Sequence, residues 1–511
     1  MKSCVDNKVL GFQQNLIAAW TDYVAGRIDA KALKGASAGF GIYQQRNGAT
    51  MMRIRRVGGT ITTRDLRVAA SLLRTYGGDF AHLTTRQDIQ LHGVPAGQVT
   101  AALAACEANA FPFRGGGGDT FRNTLVSAYS GLHADSAFDV LPYAEALSRA
   151  FYSYDLAYGL PRKLKIAFAD RPSAAYLAQT NDLGFVAKIV DGARVFETYV
   201  GGGIGFQPRV GLKLFDALPA EDCIRVAMAL TELFNEKGCR TNRSHARIRF
   251  LREDLGDAEF VKALTTKLAL LPAEAPRAEV AADARRELPV TAFPANDRPG
   301  EGFETWQQLA VTPLVGGRVA VRIFVPFGDF TAEQLEAFAD AMEANGAVQF
   351  QGLDSGDLGL VVPYDQLAGV YNVLAGLKQD FVVWSFVGNI RTCVGCSVCT
   401  SGVTDAPAIG RAVAEHFDRR IRPLDTPQKV ALAKLLLNEV RISGCPNSCT
   451  AHPLARFGFA GRKSAGADAE TAFTAGATNP VRLGAPDATV PPIPADELPS
   501  YLEQVLLSVV K

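Results

Sequence analysis

Alternating and helical patterns of apolar residues follow one another along this chain and predict a mixed α+β fold. In MMRIRRV, residues 51–57, apolar and basic positions alternate as in a strand. Two glycines then form a turn, and Thr62 and Thr63 are suited to cap a helix that runs to about Tyr76. The segment AHLTTRQDIQLHGV alternates again as strands, and residues 97–108 have the period of a second helix.

The same plan occurs a second time at residues 321–376. Five positions match at a constant offset of 269 residues: Arg53 with Arg322, Gly59 with Gly328, Thr62 with Thr331, Leu66 with Leu335 and Gly77 with Gly346. Farther on, FRNTLVSAYSG aligns with IRTCVGCSVCTSG, which places Arg122 over Arg391, and LKIAFA aligns with VRISGC and LGFVA with FGFAG. Chance matching of common turn residues is the alternative. The length of the match favours an internal duplication with two similar sheets.

Shifts in composition divide the chain into segments. Residues 271–303 are rich in proline, alanine and charge and have little periodicity, which is typical of a linker. The predicted organisation is a helical arm at 1–50, half-domains at 51–110 and 304–380, and α/β lobes at 111–270 and 381–511.

Length, charge and hydropathy set limits on function. The 511 residues exceed what one core usually holds, and a net charge of +1 gives no global field for nucleic acid or an anionic membrane. No apolar run reaches the roughly 18 residues of a membrane span, and the N-terminus lacks the pattern of a signal peptide. We therefore expect no nucleic-acid or membrane partner and a cytoplasmic location.

Five cysteines fall between residues 393 and 449. Cys393 and Cys399 form a C-x5-C pair, and Cys445 and Cys449 form a C-x3-C pair inside GCPNSC. Four thiolates from two segments are the ligands that a 4Fe–4S cluster requires. Structural zinc remains an alternative because Cys396 makes C-x2-C pairs with its neighbours, whereas nine cysteines in all are too sparse for a disulfide framework. Inert buried cysteines explain the remaining four, which are Cys4, Cys106, Cys223 and Cys239.

The combination of C-x5-C with GCPNSC resembles the signature of the sirohaem-dependent sulfite and nitrite reductases. RIR at 53–55, TTRQDIQLH at 84–92, RN at 122–123 and PRKLK at 161–165 resemble the same family, so the likeness covers nearly the whole chain. It implies duplicated ferredoxin-like repeats plus two α/β lobes that hold sirohaem and the cluster, related by pseudo-two-fold symmetry. It also implies that Cys393, Cys399, Cys445 and Cys449 bind the cluster, that Cys449 bridges to the sirohaem iron, and that Cys396 is not a ligand.

The resemblance assigns the basic residues as well. It implies that Arg86, Arg122, Lys163 and Lys165 line the substrate face of the sirohaem, and that Arg53, Arg55, Gln87, Asn123 and Arg243 are candidates for holding its carboxylates. A buried oxyanion needs paired cations, and a buried lysine can deliver protons near neutral pH. The alternative for each residue is a surface ion pair, and the basic run RTNRSHARIRFL is as typical of a solvated face.

The predicted activity is six-electron reduction of sulfite to sulfide. By resemblance, nitrite reductases tend to carry Asn where this chain has Lys165, which favours sulfite; nitrite reduction to ammonia remains an alternative. A cobalamin-pathway ring-oxidising enzyme shares the scaffold, and a carrier module without catalysis is a more distant alternative. Because GGGIG at 201–205 lacks the residues of a nucleotide-binding loop, electrons are expected from a separate donor such as ferredoxin or a flavoprotein.

Overall fold

The part of the chain that the structure describes contains four β-sheets, two in each half of the chain, and the sheets of one half are related to those of the other. The structure is a computed structural model, and it describes residues 7–510 except 112, 282–283, 285, 296–297, 378–389, 423, 465 and 475–482. Within these residues no helix has both the length and the apolar character needed to cross a membrane.

The N-terminal arm packs on the first sheet. It contains α1 (Asn7–Val24) and α2 (Ala30–Ser37). Trp20 is fully buried, and its indole N–H donates to the carbonyl oxygen of Ala96 at 2.7 Å. The elements of the first ferredoxin-like unit follow: β1 (Ile42–Gln44), β2 (Thr50–Ile54), β3 (Thr60–Thr62), α3 (Thr63–Tyr76), β4 (Phe80–Leu83), β5 (Ile89–Val94) and α4 (Val99–Ala108). Because β1 pairs with β2, this sheet begins at Ile42, inside the segment that the sequence assigned to the arm.

The first α/β lobe carries a sheet of order β10-β9-β8-β7-β6. Its strands β6, β7 and β8 are parallel, and the following strands are antiparallel. Its elements are β6 (Leu125–Val126), α5 (Leu141–Tyr152), β7 (Ile166–Ala169), α6 (Ala175–Gln179), β8 (Leu183–Val190), β9 (Ala193–Val200), β10 (Leu212–Pro219), α7 (Cys223–Lys237), α8 (Ile248–Leu255) and α9 (Asp257–Leu270).

The second half repeats both units. Its ferredoxin-like unit contains α10 (Phe303–Ala310), β11 (Val311–Pro313), β12 (Arg318–Ile323), β13 (Asp329–Phe330), α11 (Ala332–Glu343), β14 (Gln349–Gly352), β15 (Leu358–Pro363) and α12 (Leu367–Gly376). Its lobe contains β16 (Arg391–Thr392), α13 (Gly395–Val398), α14 (Ala406–Ile421), α15 (Pro427–Glu439), β17 (Val440–Ser443), β18 (Phe457–Ser464), β19 (Ala467–Thr474), β20 (Ala485–Pro486), β21 (Ile493–Pro494) and α16 (Leu498–Val509). The strands β16, β17 and β18 are again parallel.

The two ferredoxin-like units exchange equivalent strands. The sheet orders are β1-β2-β5-β4-β13 and β11-β12-β15-β14-β3, so each unit completes its sheet with a short strand of the other. Thr62 and Thr331 cap α3 and α11 with full capping boxes, and these two helices pack against each other. The predicted duplication is confirmed, and the exchange ties the halves into one body.

Strand register corrects part of the predicted alignment between the halves. Ile166 pairs with Leu183 across β7 and β8, and Val440 pairs with Phe457 across β17 and β18. Both equivalences give an offset of 274 residues, as predicted for LGFVA and FGFAG. The predicted alignment of LKIAFA with VRISGC is therefore wrong by two residues. A two-residue slip keeps every side chain on the same face of a strand, so the apolar alternation does not detect it.

The same argument corrects the partner of Arg391. Leu125 pairs with Ala167 in the first lobe, and Arg391 pairs with Arg441 in the second. Since Ala167 and Arg441 are equivalent at the offset of 274, Leu125 is the counterpart of Arg391, and Arg122 is not.

Candidate active site

The cysteines lie at one edge of the second lobe because parallel neighbouring strands end there. Cys393 follows β16 directly, and Cys445 and Cys449 lie in the turn after β17. The Gly444 N–H donates to the Cys393 sulfur at 3.2 Å, which joins the two cysteine segments. Gly444 is required here, since a Cβ at this position would lie 2.6 Å from the carbonyl oxygen of Thr404.

The four predicted ligands act on one another electrostatically. Burial raises the pKa of Cys393 to about 12, and the charge on Cys449 raises it further. Burial also raises the pKa of Cys445, assisted by the charges on Cys449 and Cys399. Thiolates grouped in this way need a positive centre, and bound metal supplies one.

A single metal ion needs ligands that converge on one point. Among the described residues, no three His, Cys, Asp or Glu side chains converge closely enough to hold one ion. A 4Fe–4S cluster has a different demand, because each of four irons takes one thiolate from a larger perimeter. Cys396 lies within α13, and its N–H donates to the Thr404 carbonyl oxygen at 2.9 Å.

Lysines of the first lobe face these cysteines. Burial lowers the pKa of Lys163 to about 7, and Arg247, Arg122 and Arg162 lower it as well, whereas the charge on Cys449 opposes the shift. Lys165 precedes β7, and its backbone N–H donates to the Asp182 carboxylate at 2.8 Å. Burial lowers the pKa of Lys165 well below its usual range, with contributions from Arg86 and Lys163. A cationic group of one half thus meets the thiolate group of the other.

Arg86 and Arg122 lie in the same group of basic residues as the lysines, but their N–H groups donate to different partners. The Arg86 guanidinium donates to the Asn181 side-chain oxygen at 2.9 Å, and its buried Nε has no partner. Burial lowers the pKa of Arg86 to about 10. Arg122 donates to three carbonyl oxygens of residues 117–120 at 2.7–2.9 Å, and burial lowers its pKa to about 9.

The structure places three of the five proposed carboxylate-binding residues in backbone-supporting roles. Arg55 is buried under the Phe121 ring at 4.2 Å and donates to the carbonyl oxygens of Arg114 and Arg122. The Gln87 amide donates to the Val126 carbonyl oxygen and accepts from its N–H, and Asn123 donates to the carbonyl oxygens of Arg56 and Arg86. Arg53 lies 3.7 Å from Asp88 in an ion pair.

The basic run before α8 contributes residues other than the one that the sequence singled out. Arg243 is 64% exposed and pairs with Asp119, outside the buried group. Arg247 is buried and donates to both oxygens of Asp182 at 2.8 and 2.9 Å, and Arg249 is buried beside it. Both arginines stand between apolar residues in HARIRF, and these apolar neighbours were the signal in the sequence for a segment that turns inward.

The cleft between the lobes fits a ligand rich in carboxylates. Buried nitrogens without partners include Nε of Arg86 and Arg247 and both Nε and Nη1 of Arg249. Gly203 allows the close approach of Arg249, since a Cβ there would lie 3.1 Å from Nη1. A Cβ on Gly205 would lie 3.8 Å from the carbonyl oxygen of Asn447, so this glycine segment borders the cysteine turn.

Comparison with known families identifies this arrangement. The model of the nitrite and sulfite reductase 4Fe–4S domain matches residues 117–270 and 383–507, and the model of the nitrite/sulfite reductase ferredoxin-like half domain matches residues 43–109. The chain belongs to the nitrite and sulfite reductase family. Its cofactors are accordingly a 4Fe–4S cluster and sirohaem, and it is an oxidoreductase.

Individual relatives agree with this assignment. Sulfite reductase (ferredoxin) 1 of Mycolicibacterium paratuberculosis is 23% identical over 89% of this chain and 80% of its own length. The haemoprotein beta-component of NADPH sulfite reductase from Xylella fastidiosa is 27% identical over 81% of this chain and 74% of its own length. The fold is similar to that of the Mycobacterium tuberculosis NirA protein, with a TM-score of 0.74, 22% identity and coverage of 94% of this chain and 88% of that one.

Proposed function

We propose that this protein reduces sulfite to sulfide at a sirohaem iron that the Cys449 thiolate bridges to a cluster on Cys393, Cys399, Cys445 and Cys449. The observation that carries the proposal is the buried group of Arg86, Lys163 and Lys165, in which Lys163 interacts with Cys449. When bound, the two cofactors supply the electrons one at a time. The protein must bind the anion, hold it against them and provide protons.

The cationic group suits a small oxyanion. Moving an anion out of water costs several kcal/mol unless charged hydrogen-bond donors replace the water. The Nε of Arg86 has no hydrogen-bond partner among the described residues, and Asn181 holds the guanidinium in place. Lys163 and Lys165 supply further donors, and Asp182 holds the backbone of Lys165. Donors fixed in advance gain strength as negative charge builds on the oxygens of the substrate, which lowers the barrier.

Proton supply follows from the lowered pKa of Lys163. With a pKa of about 7, its ammonium gives up a proton near neutral pH more readily than an ordinary lysine does. The three oxygens of sulfite leave as water, and each departure consumes protons. Lys163 is therefore placed to deliver them, and solvent returns them to it.

Two considerations favour sulfite over nitrite. Sulfite carries two negative charges and nitrite one, so a group with Lys165 as an additional cation matches sulfite better. The similar proteins from M. paratuberculosis and X. fastidiosa are both named sulfite reductases.

The electrons are proposed to come from a separate donor. The names of the relatives specify ferredoxin in one case and NADPH in the other, where the haemoprotein is one component. A ferredoxin or a flavoprotein is thus the expected partner. The thiol ligands need a reducing compartment, and we place the protein in the cytoplasm.

The experiment compares kcat/KM for sulfite and nitrite in the wild type and Lys165→Asn, with reduced methyl viologen as donor. Loss of one positioned cation should lower kcat/KM for sulfite about a hundredfold and shift the preference toward nitrite. Arg243→Gln is the matched control, because this arginine is exposed and outside the group. Wild-type preference for nitrite, or an unchanged ratio in Lys165→Asn, would refute the choice of sulfite.

A further inference from the structure

A narrow pocket lies between the second ferredoxin-like unit and the second lobe. Among the residues that line it are Thr85, Ser355, Gly356, Arg391 and Thr392. Arg391 and Thr392 form β16, immediately before the cluster ligand Cys393. The Thr85 hydroxyl donates to the Cys449 carbonyl oxygen at 2.6 Å. The pocket therefore borders both cysteine segments, yet the proposed reaction assigns it no role.

In the first half, a side chain fills the space that corresponds to this pocket. Gly356 is the counterpart of Gln87 at the offset of 269, and both have positive φ, +86° and +62°. In the first half, the Gln87 side chain fills the equivalent space and bonds to the backbone of Val126 in both directions, at 2.9 and 3.1 Å. In the second half glycine leaves that space open, and Thr392 stands where the first half has Val126.

Four donors that line the open space have no hydrogen-bond partner among the described residues. They are Nε and Nη1 of Arg391 and the hydroxyls of Ser355 and Thr392. Arg391 is 9% exposed, and its Nη1 lies 3.9 Å from the Asp354 carboxylate in an ion pair. Asp354 also accepts from the Tyr176 hydroxyl at 3.3 Å.

Around Arg391, the described arginine side chains outnumber the described carboxylates. Arg441 lies beside it on the neighbouring strand. Arg322 is paired with Asp357 at 2.7 Å. The buried Arg391 and the half-buried Arg441 thus both interact with the single carboxylate of Asp354. A buried charge of this kind is costly unless an anion compensates it.

We propose that this pocket binds one anionic oxygen-bearing group, held by the Arg391 guanidinium and by the hydroxyls of Ser355 and Thr392. Planar guanidinium groups bind carboxylates and other oxyanions through paired donors, and two hydroxyls complete such a site. The group comes either from a carboxylate of the sirohaem or from a free small oxyanion. The first source rests on the cofactors of the proposed function, and the second does not.

The test uses the purified holoprotein and the double substitution Arg391→Leu with Thr392→Val. This variant copies Leu125 and Val126 of the first half, so the strand keeps residues that its counterpart already accommodates. Arg46→Leu is the matched control, because Arg46 also touches the cluster loop, donating to the Gly402 carbonyl oxygen at 3.0 Å, but is exposed. Thr392→Val alone preserves shape and serves if the double variant does not fold.

Three quantities are measured: the rate of sirohaem loss by absorption, the acid-labile sulfide of the cluster, and the binding of inorganic phosphate by calorimetry. If a sirohaem carboxylate occupies the pocket, the double variant loses sirohaem about tenfold faster or more, while the acid-labile sulfide is unchanged. If a free oxyanion occupies it, phosphate binds about tenfold more weakly to the variant, and sirohaem loss is unchanged. Thr392→Val gives a smaller change in the same direction.

Two results would overturn the proposal. One is a folded double variant in which both sirohaem loss and phosphate binding equal those of Arg46→Leu. The other is loss of the acid-labile sulfide of the cluster together with sirohaem, which would show that Arg391 supports the cluster loop and binds no ligand. Neither readout uses turnover, so a failure of the sulfite assignment leaves this test unaffected.

Discussion

The turns that follow β7 and β17 occupy equivalent places in the two lobes and have diverged completely. Residues 170–175 read DRPSAA and residues 444–449 read GCPNSC, with Pro172 and Pro446 aligned at the offset of 274. In the first turn, Arg171 and Asp170 form an ion pair at 2.7 Å. In the second turn, two cysteines replace charged or small residues. Equivalent places in the fold thus hold a structural turn in one half and a ligand loop in the other.

The cationic positions show the opposite distribution. Lys163 and Lys165 precede β7, and their counterparts are Leu437 and Glu439 at the end of α15. At these positions the first half carries the lysines and the second carries the cysteines, and Lys163 interacts with Cys449 where the two lobes meet. Duplication supplied two equivalent sites, and each half kept the chemistry that the other lacks.

Removal of a cysteine that binds the cluster should have the largest effect on the chemistry that distinguishes the two halves. Cys445→Ser should abolish the cluster, because one of the four irons loses its thiolate ligand. Cys396→Ser should leave the iron content intact, since this cysteine is not one of the four assigned ligands. Iron analysis and the visible spectrum of each variant measure the effect. Iron loss in Cys396→Ser with retention in Cys393→Ser would contradict the assignment.

The role of Lys163 in the first half can be tested through the pH dependence of kcat. Lys163 donates protons only while it is protonated, so wild-type kcat should fall as pH rises through about 7. Lys163→Gln should lower kcat about a hundredfold and remove that fall. Arg162→Gln removes a positive charge that lowers the pKa of Lys163, so the fall should move to higher pH. A wild-type profile that is flat between pH 6 and 9 would contradict the role of Lys163.

The smallest expected effect concerns the feature that the halves share. Thr62→Ala and Thr331→Ala each remove a capping-box side chain from α3 or α11 and should lower the free energy of unfolding by about 1 kcal/mol. Urea denaturation measures both, with Thr63→Ala as the control beside the first cap. Similar losses would support equivalent roles; a loss at only one cap would show that the halves differ even here.

Local signals in the sequence were sufficient for several features of the molecule. The capping threonines, the strand alternation in residues 51–57 and the constant offset of 269 predicted two similar units of sheet and helix, and both are present. The two spaced cysteine pairs predicted the cluster, which the family match bears out. The predicted roles of individual basic residues remain predictions.

Tertiary structure decided what depends on contacts between distant segments. A three-residue strand such as β3 has the same pattern whichever sheet it joins. The sequence therefore could not show that the two units exchange β3 and β13. Burial of Arg247, in contrast to exposed Arg243, depends on Asp182, 65 residues earlier in the chain. The sequence by itself determined the repeated elements and the ligand types, because capping, alternation and residue spacing are local. Only packing of the halves determined the register, the exchanged strands and which cations face the thiolates, because each requires a partner far away in the chain.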